Sequence, residues 1–136
     1  MLTHKGTKTL ETDRLILRQF TMDDAEPMFR NWASDDTVTK HMTWPTHSSM
    51  EVTEMVLSDW TKSYRKPDYY QWAIVFEGEP IGSISVVSHN DRVEKAEIGY
   101  CMGRKWWHRG IKTQVYTCHK LVQWVLNAKM GTLPLL

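Results

Sequence analysis

The stretch of the chain best suited to chemistry runs from Glu97 to Gln114 and reads EIGYCMGRKWWHRGIKTQ. A β-rich segment passes there through a basic loop that contains glycine and leads straight into the start of a helix. Backbone N–H groups in a first helical turn lack partners and favour an anion. Nearby cations add to that preference: Arg104, Lys105, Arg109 and Lys112. This order predicts a phosphate-binding loop, although a solvated basic surface turn has the same composition.

The overall composition narrows the remaining classes of protein. A chain of 136 residues has the size of one domain. Its 17 Lys and Arg against 16 Asp and Glu give a net charge of +1, so it lacks the broad positive field of a protein that coats nucleic acid or membrane. We therefore predict neither a nucleic-acid nor a membrane partner, and we expect any anion to be bound locally.

Cysteine usage and the lack of targeting signals predict a cytoplasmic location. Cys101 and Cys118 do not form a CxxC pair, so neither a disulfide framework nor a metal site is predicted. The opening MLTHKGTKTLETDR lacks the apolar core of a signal peptide. No apolar run approaches the roughly 18 residues that a membrane span needs.

A strand that leads into a helix is predicted near the start of the chain. Arg14–Phe20, RLILRQF, is β-rich and places Leu15 and Leu17 on one face. Thr21 follows as a helix N-cap, with acidic residues in the first helical turn.

The clearest amphipathic helix begins near Ser48. Ser48 and Glu51 have the spacing of a capping box. Apolar residues then recur at helical intervals: Val52, Met55, Val56, Trp60 and Tyr64. The preceding His41–His47, HMTWPTH, is irregular because Pro45 holds Trp44 extended, and this segment is a candidate binding loop.

Three consecutive strands are predicted after this helix. Gln71–Phe76 and Ile81–Ser88 form a hairpin around the turn Glu77–Pro80, and Ala96–Met102 follows a polar loop. A meander is the economical arrangement of such strands. A second long helix begins at Gly110, where apolar residues again follow helical spacing: Ile111, Val115, Cys118, Val122 and Val125. The order predicts an α+β fold in which helices flank a largely antiparallel central sheet.

Three segments resemble one known family. EIGYCMGRKWWHRGIKT resembles the cofactor motif of the GNAT superfamily, in its subgroup of ribosomal-protein N-terminal acetyltransferases. LETDRLILRQFTMDD resembles the opening strand and helix of that subgroup, and YQWAIVFEGEPIGSIS resembles its central hairpin. The resemblance runs from about Leu10 to about Val125. It implies that residues 1–136 form a single GNAT N-acetyltransferase domain, incomplete at its C-terminal end, that uses acetyl-CoA.

The resemblance also implies which residues bind the cofactor. Backbone groups of the last meander strand, at Cys101, Met102 and Gly103, would pair with the pantetheine arm. The amides of the following loop would wrap the pyrophosphate: His108, Arg109, Gly110, Ile111, Lys112 and Thr113. The family signature is Q/R-x-x-G-x-G/A, and this chain reads KWWHRG, with His108 where the first glycine usually stands. A Cβ there hinders close backbone approach to a ligand, although an imidazolium can pair with phosphate.

Acetyl transfer to an amine needs a base, a polarised carbonyl and a proton for the leaving thiolate. Glu97 is the candidate base, because acids at this position of the family are proposed to deprotonate the amine through water; an exposed strand Glu paired with a cation is the alternative. Tyr100 is a candidate proton donor or a packing residue. Three tryptophans are candidates for the acceptor groove, with core packing as the alternative: Trp32, Trp44 and Trp72. Cys101 as a nucleophile would need a nearby His base, so direct transfer is the simpler reading.

The C-terminal end departs from the family. GNAT domains continue past the cofactor helix with further elements, whereas LNAKMGTLPLL, after Val125, no longer resembles them. A truncation, a frameshift and a degraded paralogue all fit this departure. The third meander strand would then be an exposed edge, which predicts a homo-oligomer. The alternative function is a catalytically inactive remnant that acts as a dimerising or binding module.

The predicted acceptor is the α-amine of a protein N-terminus. The subgroup resemblance implies it, and an α-amine with a pKa of about 7.7 to 8.0 is neutral near pH 7 far more often than a Lys at about 10.4. Small amines such as polyamines or aminoglycosides remain as alternatives. The acids that would have to hold a polycation are expected to cap and solvate helices: Asp23, Asp24, Asp35 and Asp36.

Overall fold

The computed structural model describes residues 6–12, 14–40, 42, 44–66, 69–90 and 95–107, with backbone alone for 87–90 and 95–98. The helix predicted from Gly110 onward lies outside these residues. So do the loop residues 108–113.

Five strands form one antiparallel sheet. They are β1 (Leu10–Glu11), β2 (Leu15–Arg18), β3 (Gln71–Phe76), β4 (Glu79–Asn90) and β5 (Lys95–Met102). Their order in the sheet follows the chain, from β1 to β5, and every neighbouring pair is antiparallel. The predicted meander is confirmed, and so is the α+β class with its antiparallel sheet.

The hairpin between β3 and β4 turns on two residues with positive φ. Glu77 has φ 51° and Gly78 has φ 79°, the combination of a two-residue turn whose twist matches that of the strands. The predicted turn position is therefore correct, but β4 already begins at Glu79. Pro80 accordingly lies within the strand, next to a shift of register at Ile74 and Val75. Such irregularities are where a strand tolerates a residue that has no N–H.

Helical segments cover one face of this sheet. Thr21 precedes a 3₁₀ turn, Met22–Asp24, and its N–H donates to Asp24 Oδ2 at 2.8 Å, so the predicted cap is confirmed. The chain continues as α1 (Ala25–Met28) and then as a wider π-helical turn, Phe29–Ala33.

Two further helices complete the described part of that layer. A short α2 (Asp36–Thr39) follows the π-helical turn, and α3 (Met50–Ser63) follows the irregular segment. Ser49 is the N-cap of α3 and its side chain makes no capping hydrogen bond, so the capping box predicted at Ser48 is wrong.

The buried face of α3 differs from the predicted one. Met55 is 69% exposed, whereas Thr53 and Leu57 are completely buried. Thr53 lies inside because its hydroxyl contacts the buried ring of His47. The predicted helix is present, but its inward face includes Thr53, which has a buried partner, and Met55 therefore lies outside.

Two apolar layers lie on opposite faces of the sheet, because side chains alternate along each strand. Leu15 and Leu17 are buried on one face, as predicted, and Ile16 between them is 42% exposed. That face packs Leu15, Leu17, Tyr70, Trp72, Ile74, Ile81, Ile84, Met102 and Trp106. The helix-covered face packs Phe20, Ala25, Met28, Trp32, Ala33, Val38, Leu57, Ala73, Val75 and Cys101.

In the described ranges, no helix combines the length and apolar character that crossing a membrane requires.

Candidate active site

The outer edge of β5 presents backbone hydrogen-bonding groups that β4 does not use. The Gly103 N–H donates to the Ile81 carbonyl at 2.8 Å, so these two residues form a hydrogen-bonded pair of the antiparallel ladder. Such pairs alternate with pairs whose backbone groups point outward. By this alternation Cys101 faces β4, and the backbone groups of Tyr100 and Met102 point away from it.

Of the three residues predicted to pair with a cofactor, only Met102 has its backbone on this outer edge. Both backbone groups of Gly103 have partners within the protein, since its carbonyl accepts the Trp106 N–H at 3.0 Å. The backbone of Cys101 is used inside the ladder. In this structure the edge positions are therefore Tyr100 and Met102, a pairing that the sequence alone could not give because it depends on the register with β4.

Gly103 begins the turn that follows β5 and allows a close approach of two elements. A Cβ at this position would lie 2.5 Å from the Asn31 carbonyl oxygen and 2.8 Å from the ring of Trp106. Both distances are shorter than real Cβ contacts, so glycine is the residue that fits here. The π-helical turn that contains Asn31 thus packs directly on the start of the basic turn.

An ion pair ties the basic turn to the helical layer. Arg104 Nε donates to Asp35 Oδ2 at 2.6 Å, and Asp35 Oδ1 accepts the Thr37 N–H at 3.0 Å as the N-cap of α2. Burial opposes ionisation of Asp35, but the hydrogen bonds from Arg104 and Thr37 outweigh it and the pKa of this carboxyl is lowered. Asp35 therefore stays charged while it joins α2 to the turn.

A second set of polar contacts joins the π-helical turn to the β3–β4 hairpin. Asn31 Nδ2 donates to Glu79 Oε1 at 3.0 Å and to the Pro80 carbonyl at 2.8 Å. Arg30 donates to the same Glu79 carboxylate at 2.7 Å. The hydrogen bonds from Asn31 and Arg30 hold the pKa of Glu79 below its usual value.

The two adjacent tryptophans of the turn have different environments. Trp106 is 4% exposed and belongs to the apolar layer opposite the helices, with the Lys105 ammonium 5.3 Å from its ring centre. Trp107 is 37% exposed, and its indole Nε1 donates to the Met102 carbonyl at 2.8 Å. One ring anchors the turn and the other lies on the edge of β5.

Cys101 is buried and is not activated as a nucleophile. Its sulfur lies 3.4 Å from Ser83 Oγ. Burial raises the pKa of the thiol, and the hydrogen bonds with Ser83 only partly oppose this. A thiol with a raised pKa stays protonated, which favours direct transfer over a covalent step. Ser83 itself is buried.

The candidate groove residues lie in different surroundings. Trp32 and Trp72 are completely buried, so in this structure they pack in the core and do not line a groove. Trp72 Nε1 donates to the Lys8 carbonyl at 2.6 Å. Trp44 is half-buried and packs against His47, with ring centres 5.3 Å apart. Tyr100, 44% exposed, is accessible at the edge of β5.

The buried pair His47 and Thr53 was not singled out from the sequence. His47 Nδ1 lies 2.7 Å from Thr53 Oγ1, and the His47 N–H donates to the Ala33 carbonyl at 2.9 Å. Burial lowers the pKa of the His47 ring. The only sequence signal was its place in an irregular segment with Trp44 and Pro45.

The predicted base and the predicted pyrophosphate residues belong to β5 and to the segment after Trp107. Glu97 lies in β5 opposite Ser88, beside a shift of register between β4 and β5. It has the strand parity of Cys101 and not that of Met102, since parity alternates along a strand. The predicted pyrophosphate residues 108–113 lie outside the described residues. In the part of the chain that is described, no cluster of His, Cys, Asp and Glu has the arrangement of a metal site.

In the described residues, an antiparallel sheet carries helices on one face and a basic turn follows its last strand, which is the arrangement of the acetyltransferase fold class. The chain belongs to this class by sequence as well: it is a member of the acetyltransferase (GNAT) domain family, whose model matches residues 14–132.

Similar proteins support this assignment. YoaA of Bacillus subtilis (strain 168), named as an uncharacterized N-acetyltransferase, is 31% identical over 121 residues, which are 88% of this chain and 67% of YoaA. The RimL ribosomal L7/L12 α-N-protein acetyltransferase in complex with coenzyme A has a TM-score of 0.67 at 17% identity, over 82% of this chain and 67% of RimL. The microcin C7 self-immunity acetyltransferase MccE, in complex with acetyl-CoA and AMP, has a TM-score of 0.70 at 18% identity, over 90% of this chain and 67% of MccE.

The chain spans about two thirds of the length of each of these proteins. At such low identity the two structural likenesses establish the fold alone.

Proposed function

We propose that this protein is an acetyl-CoA-dependent N-acetyltransferase that acts on a primary amine, the α-amine of a protein N-terminus. The observation that carries the proposal is the outer edge of β5, where the backbone groups of Tyr100 and Met102 point away from the sheet and a basic turn follows directly. An edge of this kind binds an extended amide-containing ligand as an added strand.

Acetyl-CoA fits this edge because its pantetheine arm carries two amide groups. Each amide offers a donor and an acceptor to the outward groups of Tyr100 and Met102. The pyrophosphate would then lie beyond Met102, among the amides of residues 108–113 and the cations Arg109 and Lys112. The CoA and acetyl-CoA complexes of RimL and MccE support this cofactor.

Direct transfer is the step that these residues support. The amine nitrogen attacks the thioester carbon, an amide bond forms, the C–S bond breaks, and CoA leaves as a thiol after taking a proton. Glu97 accepts the proton from the amine through water, because it lies on the opposite strand parity of β5 from Tyr100. Tyr100, which is 44% exposed, donates a proton to the departing sulfur. The buried, protonated Cys101 takes no covalent part.

The acceptor proposal rests on charge and on the relatives. Two of the four acids that a polycation would need already have cationic partners, since Asp24 binds Arg18 through two hydrogen bonds and Asp35 binds Arg104. An α-amine needs little help to lose its proton near pH 7. RimL, by its name, acetylates the α-amine of a ribosomal protein, and a cytoplasmic substrate of that class is part of this proposal.

The test is the release of free thiol from acetyl-CoA in the presence of short peptides with free N-termini. We expect turnover by the wild type and a loss of at least about a hundredfold in Glu97→Gln, the size of a general-base contribution. Glu54→Gln, at an exposed position on α3, is the matched control and keeps full activity. Binding of acetyl-CoA without any turnover would replace this proposal with the inactive binding module.

A further inference from the structure

The Met102 carbonyl on the outer edge of β5 already has a partner. Trp107 Nε1 donates to it at 2.8 Å. By the alternation of the ladder this carbonyl points away from β4. It is therefore one of the backbone groups that the proposed function assigns to the pantetheine arm.

The Trp107 ring can leave this carbonyl without a rearrangement of the turn. The backbone before it is fixed by hydrogen bonds from the Trp106 N–H to the Gly103 carbonyl and from the Trp107 N–H to the Arg104 carbonyl, both at 3.0 Å. The buried ring of Trp106 and the Arg104–Asp35 ion pair hold the same turn on the protein. None of these contacts involves the Trp107 side chain, so rotation about its side-chain bonds moves the indole and leaves them intact.

Moving the Trp107 ring away from the edge of β5 exposes little additional apolar area. Trp107 is more than a third exposed in place, so a swing into solvent uncovers less apolar area than the release of a core ring would. The indole N–H finds water as its new partner, and the carbonyl finds the ligand.

We propose that Trp107 is an affinity-determining residue of the cofactor site, whose indole occupies the Met102 carbonyl and is displaced when the pantetheine arm of acetyl-CoA binds. This inference rests on the proposed function. Two donors, the indole and an amide of the arm, compete for one outward carbonyl. Displacement of the indole is therefore coupled to entry of the arm and costs the ligand part of its affinity.

The experiment compares the wild type with Trp107→Phe, which keeps a ring but removes the N–H donor. Affinities are measured by isothermal titration for CoA and for adenosine 3′,5′-bisphosphate, which has a nucleotide but no pantetheine arm. We expect CoA to bind about three- to tenfold more tightly to the variant, the effect of removing one competing hydrogen bond. The affinity for the bisphosphate stays unchanged.

Trp60→Phe is the matched control, because Trp60 lies on α3 and packs on Phe20 with ring centres 5.0 Å apart. It removes one indole from the helical layer and leaves both affinities unchanged. Equal or weaker CoA binding by Trp107→Phe overturns the inference, and so does equal tightening of the bisphosphate. Failure of both wild type and variant to bind CoA overturns the proposed function together with it.

A measurement on the wild type covers the case in which the variant does not fold. The assigned indole N–H resonance of Trp107 exchanges slowly with solvent while it is bonded to Met102. Saturation with CoA accelerates this exchange, whereas adenosine 3′,5′-bisphosphate does not. Unchanged protection in the CoA-saturated protein overturns the inference.

Discussion

Gly103 occupies a position where the surrounding atoms leave no room for a Cβ. We expect Gly103→Ala to lower the free energy of unfolding by about 1–3 kcal/mol, the usual cost of overpacking. The added methyl group meets the Asn31 carbonyl at 2.5 Å and the Trp106 ring at 2.8 Å. Chemical denaturation with urea measures the change.

Gly78→Asn provides the comparison for this substitution. At Gly78, φ is 79° and a Cβ would meet nothing within 4 Å, and Asn tolerates this region of φ better than other residues. A loss of stability by Gly103→Ala no larger than that of Gly78→Asn would show that Asn31 and the turn move apart freely.

The two loop residues His108 and Arg109 are expected to affect CoA binding in opposite directions. His108→Gly strengthens binding, because removal of the Cβ restores close approach of the backbone to the pyrophosphate. Arg109→Ala weakens it through the loss of a positive charge, and the dependence of the affinity on salt becomes shallower. Titrations with CoA at two ionic strengths measure both. Weaker binding by His108→Gly would mean that the imidazole itself contacts the phosphates.

At the scale of elements, the contact between the irregular segment and α3 is expected to respond to pH. His47 is buried against Thr53, and burial lowers its pKa from the usual value near 6.5. The unfolded chain therefore binds a proton at His47 before the folded one does, so stability falls as pH drops below about 6.5 and is unaffected by this residue above it.

Urea denaturation between pH 7.5 and 5 checks this expectation. His47→Asn retains a polar group near Thr53 but cannot titrate, so the difference in stability between wild type and variant should shrink as the pH falls. A difference that stays constant across this range would show that His47 is protonated equally in both states. Asp, Glu and the other His residues titrate in both proteins, so their contributions cancel in this difference.

Elements that depend on a few neighbouring residues were predicted correctly, whereas features that depend on distant contacts were not. The strands and the turn at Glu77 and Gly78 were predictable because alternation and turn chemistry are encoded within a few residues. The exposed position of Met55 was not predictable from the sequence, because the inward position of Thr53 depends on its contact with His47. The spacing of apolar residues did not predict the π-helical turn at Phe29–Ala33.

The position of the candidate site along the chain was predicted from local sequence, but its backbone pairing could not be. The order of strand and basic turn predicts a site at the end of β5. Which of Tyr100, Cys101, Met102 and Gly103 present their backbones outward depends on the register with β4, which no local pattern contains. The bond from Trp107 to Met102 depends in turn on that register. The burial of Trp72 was likewise not predictable from local sequence, because it depends on the neighbouring strands of the sheet.

At the scale of the whole molecule, β5 is the last strand of the sheet in the described residues, and the described helices pack on one face of that sheet. Homo-oligomerisation through that strand stays a prediction. The same edge is the surface that the proposed function assigns to acetyl-CoA, so bound ligand and a second chain would compete for it.

The choice of acceptor is expected to follow the protonation state of the amine. At pH 7 an α-amine is neutral roughly 300-fold more often than a Lys side chain, since their pKa values differ by about 2.5. If Glu97 is the only base, as proposed, the site can use the α-amine far more easily. Peptides with free or blocked N-termini, peptides with an internal Lys, and polyamines are offered together at equal concentration, and the products are identified by mass. We expect the free N-terminus to be acetylated preferentially, with the preference narrowing as the pH rises toward 10 and Lys loses its proton. Preferential acetylation of Lys or of a polyamine at pH 7 would contradict the N-terminal assignment and leave the acetyltransferase fold intact.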